Sequence, residues 1–76
     1  MAQRTQIRIG GIVQGVGFRP FVYREALDCD ITGWVLNDSQ GVLIEAEGSP
    51  EQLADFLDRL QQRLPPLASI TCLQHQ

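Results

Sequence analysis

The first half of the chain alternates between apolar and polar side chains. Between Thr5 and Val13, every second residue is apolar, β-branched or glycine, which predicts a strand buried on one face. Two shorter alternating stretches, Ile31 to Leu36 and Val42 to Glu47, predict a second and a third strand. Turn-forming residues are dense from Asn37 to Gly41, so we expect a hairpin between these two strands.

The segment after the first strand changes to helical spacing. Phe18, Val22 and Ala26 recur every four residues, and Pro20 suits the first turn of a helix, where its missing N–H costs nothing. This pattern predicts a helix from about Pro20 to Asp28 or Cys29.

A second helix has a clear start signal. Ser49 can cap it, Pro50 suits the first helical position, and Gln52 can complete a capping box. An apolar stripe follows at helical spacing and predicts a buried face: Leu53, Phe56, Leu57, Leu60 and Leu64. The Pro65-Pro66 pair ends this helix, and the β-branched and apolar residues from Leu67 to Leu73 predict a fourth strand.

The predicted order is strand, helix, strand, strand, helix, strand. This is the order of an α+β, ferredoxin-like split β-α-β fold, in which two helices cover one face of an antiparallel sheet. Seventy-six residues form one small domain, residues 1–76, with no room for a second core.

Charge and cysteine content exclude several functions. The net charge is -3 and the six basic residues are scattered arginines, so a general nucleic-acid or anionic-membrane surface is disfavoured, and a bound anion must be held locally.

Two distant cysteines, Cys29 and Cys72, and one histidine provide no metal-ligand cluster. Free thiols are favoured over a disulfide, and no apolar export segment is apparent; both observations predict a cytoplasmic protein.

The loop from Gln14 to Arg19, with the sequence Gln-Gly-Val-Gly-Phe-Arg, is the strongest candidate for chemistry. Glycines between a strand and a helix start allow successive backbone amides to turn toward one point, which suits a phosphate. Arg19 can add a bidentate contact to phosphate oxygens. A short glycine pattern alone is also compatible with an ordinary turn beside an exposed arginine.

The motifs around this loop resemble those of the acylphosphatase family. Gly11 to Arg19 is similar to the family signature G-x-V-Q-G-V-x-F-R, and Ala26 matches the alanine of the family's first helix. Gly33 to Asn37 resembles the second motif, G-x-V-x-N, and is followed by the glycine and valine of the hairpin. The proline pair that leads into the fourth strand extends the resemblance to Ile70.

A narrower resemblance is visible at the start of the first helix. The segment Phe18 to Tyr23, with proline directly after the arginine, is similar to the N-terminal acylphosphatase domain of the hydrogenase-maturation carbamoyltransferases. Those enzymes use carbamoyl phosphate and ATP to make the cyanide ligands of nickel–iron hydrogenases. The resemblance implies that this chain is the N-terminal fragment of a larger protein, with the remaining domains and the hydrogenase-maturation proteins as its partners.

The resemblance also implies roles for individual residues. Arg19 and the loop amides of Gln14, Gly15, Val16, Gly17, Phe18 and Arg19 would bind the phosphate of an acyl or carbamoyl phosphate, and Asn37 would position the attacking water. Without the motif, Asn37 would be interpreted as a turn residue. The scheme requires no metal or cofactor. Two alternatives remain: a non-catalytic module that binds phosphate or carbamoyl phosphate, and a stand-alone acylphosphatase.

Two departures from the family pattern affect the expected fold. Cys29 and Asp30 stand where the family has leucine and glycine, so the exit of the first helix is expected to differ. The family fold usually ends in a further short edge strand, which we expect to be missing or truncated here. An unprotected edge strand can pair with another chain, so one predicted assembly is a dimer joined through that edge.

Overall fold

The computed structural model describes residues 2–76 and contains four strands and two helices. In chain order they are β1 (Gln3–Ile12), α1 (Phe18–Asp28), β2 (Thr32–Asp38), β3 (Gly41–Gly48), α2 (Pro50–Gln62) and β4 (Ser69–His75). All three neighbouring strand pairs are antiparallel, in the spatial order β2-β3-β1-β4. The predicted ferredoxin-like fold is therefore confirmed.

The hydrophobic core lies between the two helices and one face of the sheet. Ile7 and Ile9 on β1 face the same side as Val42 and Ile44 on β3, and all four are buried. The predicted stripe of α2 packs there, with Leu53, Phe56 and Leu60 buried and Leu57 and Leu64 partly buried against them. We refer to the opposite face of the sheet, which carries the alternate residues of each strand, as the open face.

Helix α2 begins as the sequence predicts. The Ser49 hydroxyl accepts a hydrogen bond from the Gln52 amide at 3.1 Å, and the Gln52 side chain accepts one from the Ser49 amide at 2.7 Å. With Pro50 at the first helical position, this is a complete capping box.

Helix α1 begins two residues earlier than predicted, at Phe18 and not at Pro20. Gly17 adopts a left-handed conformation (φ 78°, ψ 21°), which turns the chain into the helix immediately after the loop. Pro20 becomes the third helical residue, and this is tolerated because amides in the first turn have no intrahelical acceptor.

The exit of α1 was expected to differ because it lacks glycine, but it forms a standard left-handed cap. Asp30 has a φ of 56°, its amide donates to the Leu27 carbonyl, and the Ile31 amide donates to the Ala26 carbonyl at 2.8 Å. These two hydrogen bonds form a Schellman motif. An aspartate therefore takes the left-handed position that glycine usually occupies in this motif.

Strands β2 and β4 form the two edges of the sheet, and both run to later residues than predicted. Asn37 and Asp38 belong to β2, because Asp38 pairs directly with Gly41 and only Ser39 and Gln40 form the turn. At the other edge β4 extends to His75, which pairs with Ile7. Pairing of an edge strand with a second chain stays a prediction.

Candidate active site

A concave pocket of about 310 Å³ lies where the loop after β1 meets the end of β2. The two side chains that the sequence selected, Arg19 and Asn37, both line it. The remaining lining residues come from the loop and the first turn of α1: Val13, Gln14, Gly15, Gly17, Phe18 and Pro20. The pocket therefore brings together the predicted site residues except Val16, which packs against the core.

The backbone of the loop carries unused hydrogen-bond donors. Gly15 and Gly17 have φ values of 70° and 78°, in the left-handed region that favours glycine. No atom lies within 4 Å of the position that a Cβ would occupy at either residue. Among residues 2–76, the amides of Gly15, Val16 and Gly17 donate no hydrogen bond. Free amides beside open space are the ingredients of an anion-binding concavity.

The start of α1 adds the positive end of the helix dipole to this region. The N-cap residue is Gly17, which has no side chain to cap the first amides, and the first turn contains no acidic residue. An uncapped helix start of this kind favours an anion electrostatically and through its free N–H groups.

Arg19 is an exposed side chain at this helix start. Within the described part of the chain, Arg4, Arg8, Arg59 and Arg63 each contact at least one carboxylate, whereas Arg19 has no carboxylate within 4 Å. A guanidinium without an anionic partner, next to free amides, is available for an external anion such as phosphate.

Asn37 lies opposite Val42 in the β2–β3 pair, so it is on the helix-covered side of the sheet, where the pocket opens. Its side chain makes no hydrogen bond to another residue between 2 and 76, which leaves the carboxamide free for a ligand or a water. The neighbouring Asp38 points to the open face. Strand alternation therefore directs adjacent residues to two different environments.

Asp38 connects the hairpin to both β1 and the loop. Its carboxylate accepts hydrogen bonds from Arg8 Nη1 at 2.8 and 2.7 Å and from the Gln40 amide at 2.9 Å. Its carbonyl accepts one from Gln14 Nε2 at 2.6 Å. The Arg8 guanidinium and the Gln40 amide hold the pKa of the Asp38 carboxyl below its ordinary range. Sequence reasoning selected Gln14 but missed Arg8 and Asp38, because no local pattern links residues that far apart.

The sequence model of the Acylphosphatase family matches residues 5–76. The chain belongs to the acylphosphatase family. It is 54% identical over 67 residues to the carbamoyltransferase HypF2 of Cupriavidus necator, and that alignment covers 88% of this chain but 8% of the relative. The predicted resemblance to the acylphosphatase domain of these carbamoyltransferases is confirmed.

Two solved structures have the same fold as this acylphosphatase-family chain. A crystal structure of full-length HypF in a phosphate- and nucleotide-bound form superposes with a TM-score of 0.97 at 41% identity, covering 100% of this chain and 10% of that chain. The acylphosphatase of Bacillus subtilis superposes with a TM-score of 0.91 at 36% identity, covering 100% and 83%. The chain thus spans about a tenth of the carbamoyltransferases and most of a stand-alone acylphosphatase.

The other chemical groups of this acylphosphatase-family domain lie away from the pocket. Tyr23 and Trp34 line a separate, largely apolar concavity of about 250 Å³ between α1 and β2, whose walls include Glu45 but no arginine. Cys72 is exposed, whereas Cys29 is buried and its burial raises the pKa of its thiol. In residues 2–76, no three His, Cys, Asp or Glu side chains could hold a metal ion, and neither helix is long and apolar enough to cross a membrane.

Proposed function

We propose that this domain hydrolyses the mixed carboxylic–phosphoric anhydride bond of an acyl phosphate. Water attacks phosphorus, the bond between phosphorus and the acyl oxygen breaks, and a carboxylate and inorganic phosphate leave. The observation that carries the proposal is the pocket in which an arginine without a carboxylate partner, free loop amides and an uncommitted carboxamide converge.

Each group has a role that suits this chemistry. Arg19 and the amides from Gly15 to Arg19 bind the phosphoryl oxygens and stabilise the charge that spreads over them in the transition state. The Asn37 carboxamide accepts a hydrogen bond from the attacking water and holds it in line with the leaving oxygen. The leaving carboxylate is already a weak base, so the reaction does not depend on a strong general base.

We further propose carbamoyl phosphate as the substrate and a larger hydrogenase-maturation carbamoyltransferase as the parent protein. The support is the 54% identity to a carbamoyltransferase and the TM-score of 0.97 to full-length HypF, compared with 0.91 to the stand-alone enzyme. In that setting, the domain would release carbamate and phosphate or transfer the carbamate to a neighbouring domain.

The decisive experiment is hydrolysis of carbamoyl, acetyl and benzoyl phosphate by the wild type and by Arg19→Ala. Loss of one donor to the transition-state charge typically lowers the rate by about 10²–10³-fold, which we expect for kcat/KM of this variant. Arg24→Ala is the matched control, because Arg24 is an exposed arginine on the same helix that makes no ion pair within residues 2–76. We expect its kcat/KM to equal that of the wild type.

Two further arms separate catalysis from binding. Asn37→Ala should lower kcat while competitive inhibition by inorganic phosphate is retained, since Arg19 and the loop amides that bind phosphate are intact.

Turnover by Arg19→Ala at the wild-type rate would refute the assignment. If the wild type binds phosphate but cleaves none of the three substrates, the domain is a phosphate-binding module. If carbamoyl phosphate is cleaved no better than the other two, carbamoyl phosphate is not the preferred substrate of this domain.

A further inference from the structure

Asp38 is held from three directions although it is mostly at the surface of the sheet. Arg8 reaches it from β1, Gln40 from the turn, and Gln14 from the loop of residues 14–19, which we call the phosphate loop. The Arg8 and Asp38 side chains are 30% and 35% exposed, so this ion pair is partly shielded from solvent. Such a set of contacts fixes the end of β2, which is also the strand position next to Asn37.

The path of the Arg8 side chain explains how β1 reaches β2 across the intervening strand. On β3, Leu43 lies opposite Arg8, and Gly41, two positions earlier on the same open face, lies opposite Asp38. Gly41 has no side chain, so none at that position separates the guanidinium from the carboxylate. The ion pair therefore spans the sheet at the end of the hairpin.

The second connection reaches the other half of the pocket. Gln14 begins the loop whose amides face the pocket, and its Nε2 donates to the Asp38 carbonyl at 2.6 Å. The carboxylate of Asp38 is thus tied to the sheet and its carbonyl to the loop. Any movement of this residue would change the position of Asn37 relative to the amides of Gly15 and Gly17.

We propose that Arg8 and Asp38 are positioning residues that hold Asn37 in register with the phosphate loop. The proposal rests on the hydrolytic function argued above. Neither side chain lines the pocket, so neither is a catalytic residue in this scheme. A misplacement of about 1 Å of a reacting group can lower a rate by as much as 10²-fold, which is why such an outer contact can matter.

The chain contains a matched ion pair with no link to the site. Arg4 lies on the same strand and the same face as Arg8, and it contacts Glu45 and Glu47 on β3 at 2.9 Å each. If Arg8 stabilised only the sheet surface, Arg4 and Arg8 would be equivalent. Arg4→Gln is therefore the control for Arg8→Gln.

The test measures kcat, KM, inhibition by inorganic phosphate and urea unfolding for Arg8→Gln, Asp38→Asn, the double variant and Arg4→Gln. We expect kcat to fall roughly tenfold in each single variant and by about the same factor in the double variant, because removal of either partner breaks the same link. The inhibition constant of phosphate should stay within about twofold, since Arg19 and the amides are retained. Arg4→Gln should keep the wild-type kcat.

A second readout does not depend on turnover. NMR order parameters of the Asn37 side-chain NH₂ and of the Gly15 and Gly17 amides should fall in Arg8→Gln and Asp38→Asn but not in Arg4→Gln. If the wild type is inactive and these order parameters fall, the hydrolytic function is wrong and the positioning link stands. Wild-type kcat and unchanged order parameters in the folded Arg8→Gln and Asp38→Asn variants would overturn the link itself.

Discussion

The two helices of this domain begin in opposite ways. At α2, the Ser49 and Gln52 side chains satisfy backbone amides reciprocally, Pro50 removes one further donor, and Glu51 complements the dipole in the first turn. At α1, Gly17 provides no side-chain cap, and the first turn contains Arg19 and no acid. The first amides of α2 are thus capped by side chains of the chain itself. Those of α1 have no side-chain cap and lie, with Arg19, beside a pocket.

This difference fits a structural role for the start of α2 and the binding role proposed above for the start of α1. Unsatisfied amides and an unpaired guanidinium at the end of a helix cost stability unless water or a ligand satisfies them. A small domain with a thin stability margin has reason to cap such an end, as it does at α2. The start of α1 has no such cap, and its first residues line the pocket. This arrangement is consistent with the phosphate site proposed above.

Among changes to the ends of the two helices, the largest expected effect comes from placing a fixed negative charge at the start of α1. Gly17→Asp places a carboxylate where no atom lies within 4 Å, and Asp tolerates the left-handed conformation better than most residues. Two like charges about 4 Å apart repel by about 1 kcal/mol in water and about 4 kcal/mol near a protein surface. We expect inorganic phosphate to bind about 10- to 100-fold more weakly, measured by titration calorimetry or competitive inhibition.

Gly17→Asn is the matched control for this substitution. Asparagine has nearly the same size and the same cost at a positive φ, but it has no charge. Phosphate affinity should therefore be much closer to that of the wild type in this variant. Equal losses in the two variants would mean that loop conformation, and not the charge at the helix start, controls binding.

The complementary change removes the side-chain cap at the start of α2. Ser49→Ala removes the acceptor for the Gln52 amide, and loss of an N-cap side chain typically costs about 1 kcal/mol of the free energy of unfolding. Urea unfolding should show this loss with an unchanged slope, and acyl phosphate turnover at low temperature should be that of the wild type. Ser49→Thr keeps the hydroxyl and should lose only a few tenths of a kcal/mol. A change in turnover with Ser49→Ala would show that the two helix starts are coupled.

The fold could be predicted because its signals are local. Period-two and helical spacing placed all six elements in order, and the Ser49 capping box fixed the start of α2. The errors lie where turn chemistry competes with pairing. Asn37 and Asp38 are residue types common in turns, yet they belong to β2 because they pair with Val42 and Gly41 on β3.

Of the candidate site, the sequence predicted only the groups that line the pocket. Arg19 and the glycine loop form a short motif, and the resemblance to a family added Asn37. Arg8 and Asp38 could not be found in this way, because the contact joins residues on β1 and β2 whose own sequences suggest a solvated strand face and a turn. Their contact crosses the strand between them, where Gly41 lies opposite Asp38, and this arrangement is a property of the sheet and not of any segment.

The smallest expected effect concerns the other end of α1, where the chain completes a cap with an unfavourable residue. Asp30 adopts a φ of 56° and lies at the negative end of the helix dipole, so both its backbone and its charge are poorly suited to the position. We expect Asp30→Gly to raise the free energy of unfolding by about 0.5–1 kcal/mol and to leave phosphate binding unchanged. Urea unfolding and phosphate titration on the same samples measure both.

Two related substitutions divide this gain into its causes. Asp30→Asn removes the charge but keeps a side chain that tolerates the left-handed region, so it isolates the dipole contribution. Asp30→Ala removes the charge but tolerates a positive φ poorly, so it should be less stable than the asparagine variant. A glycine variant no more stable than the wild type would mean that glycine's greater freedom in the unfolded chain cancels the relief of strain. The exit of α1 would then be optimised with aspartate, in contrast to its start, which has no side-chain cap.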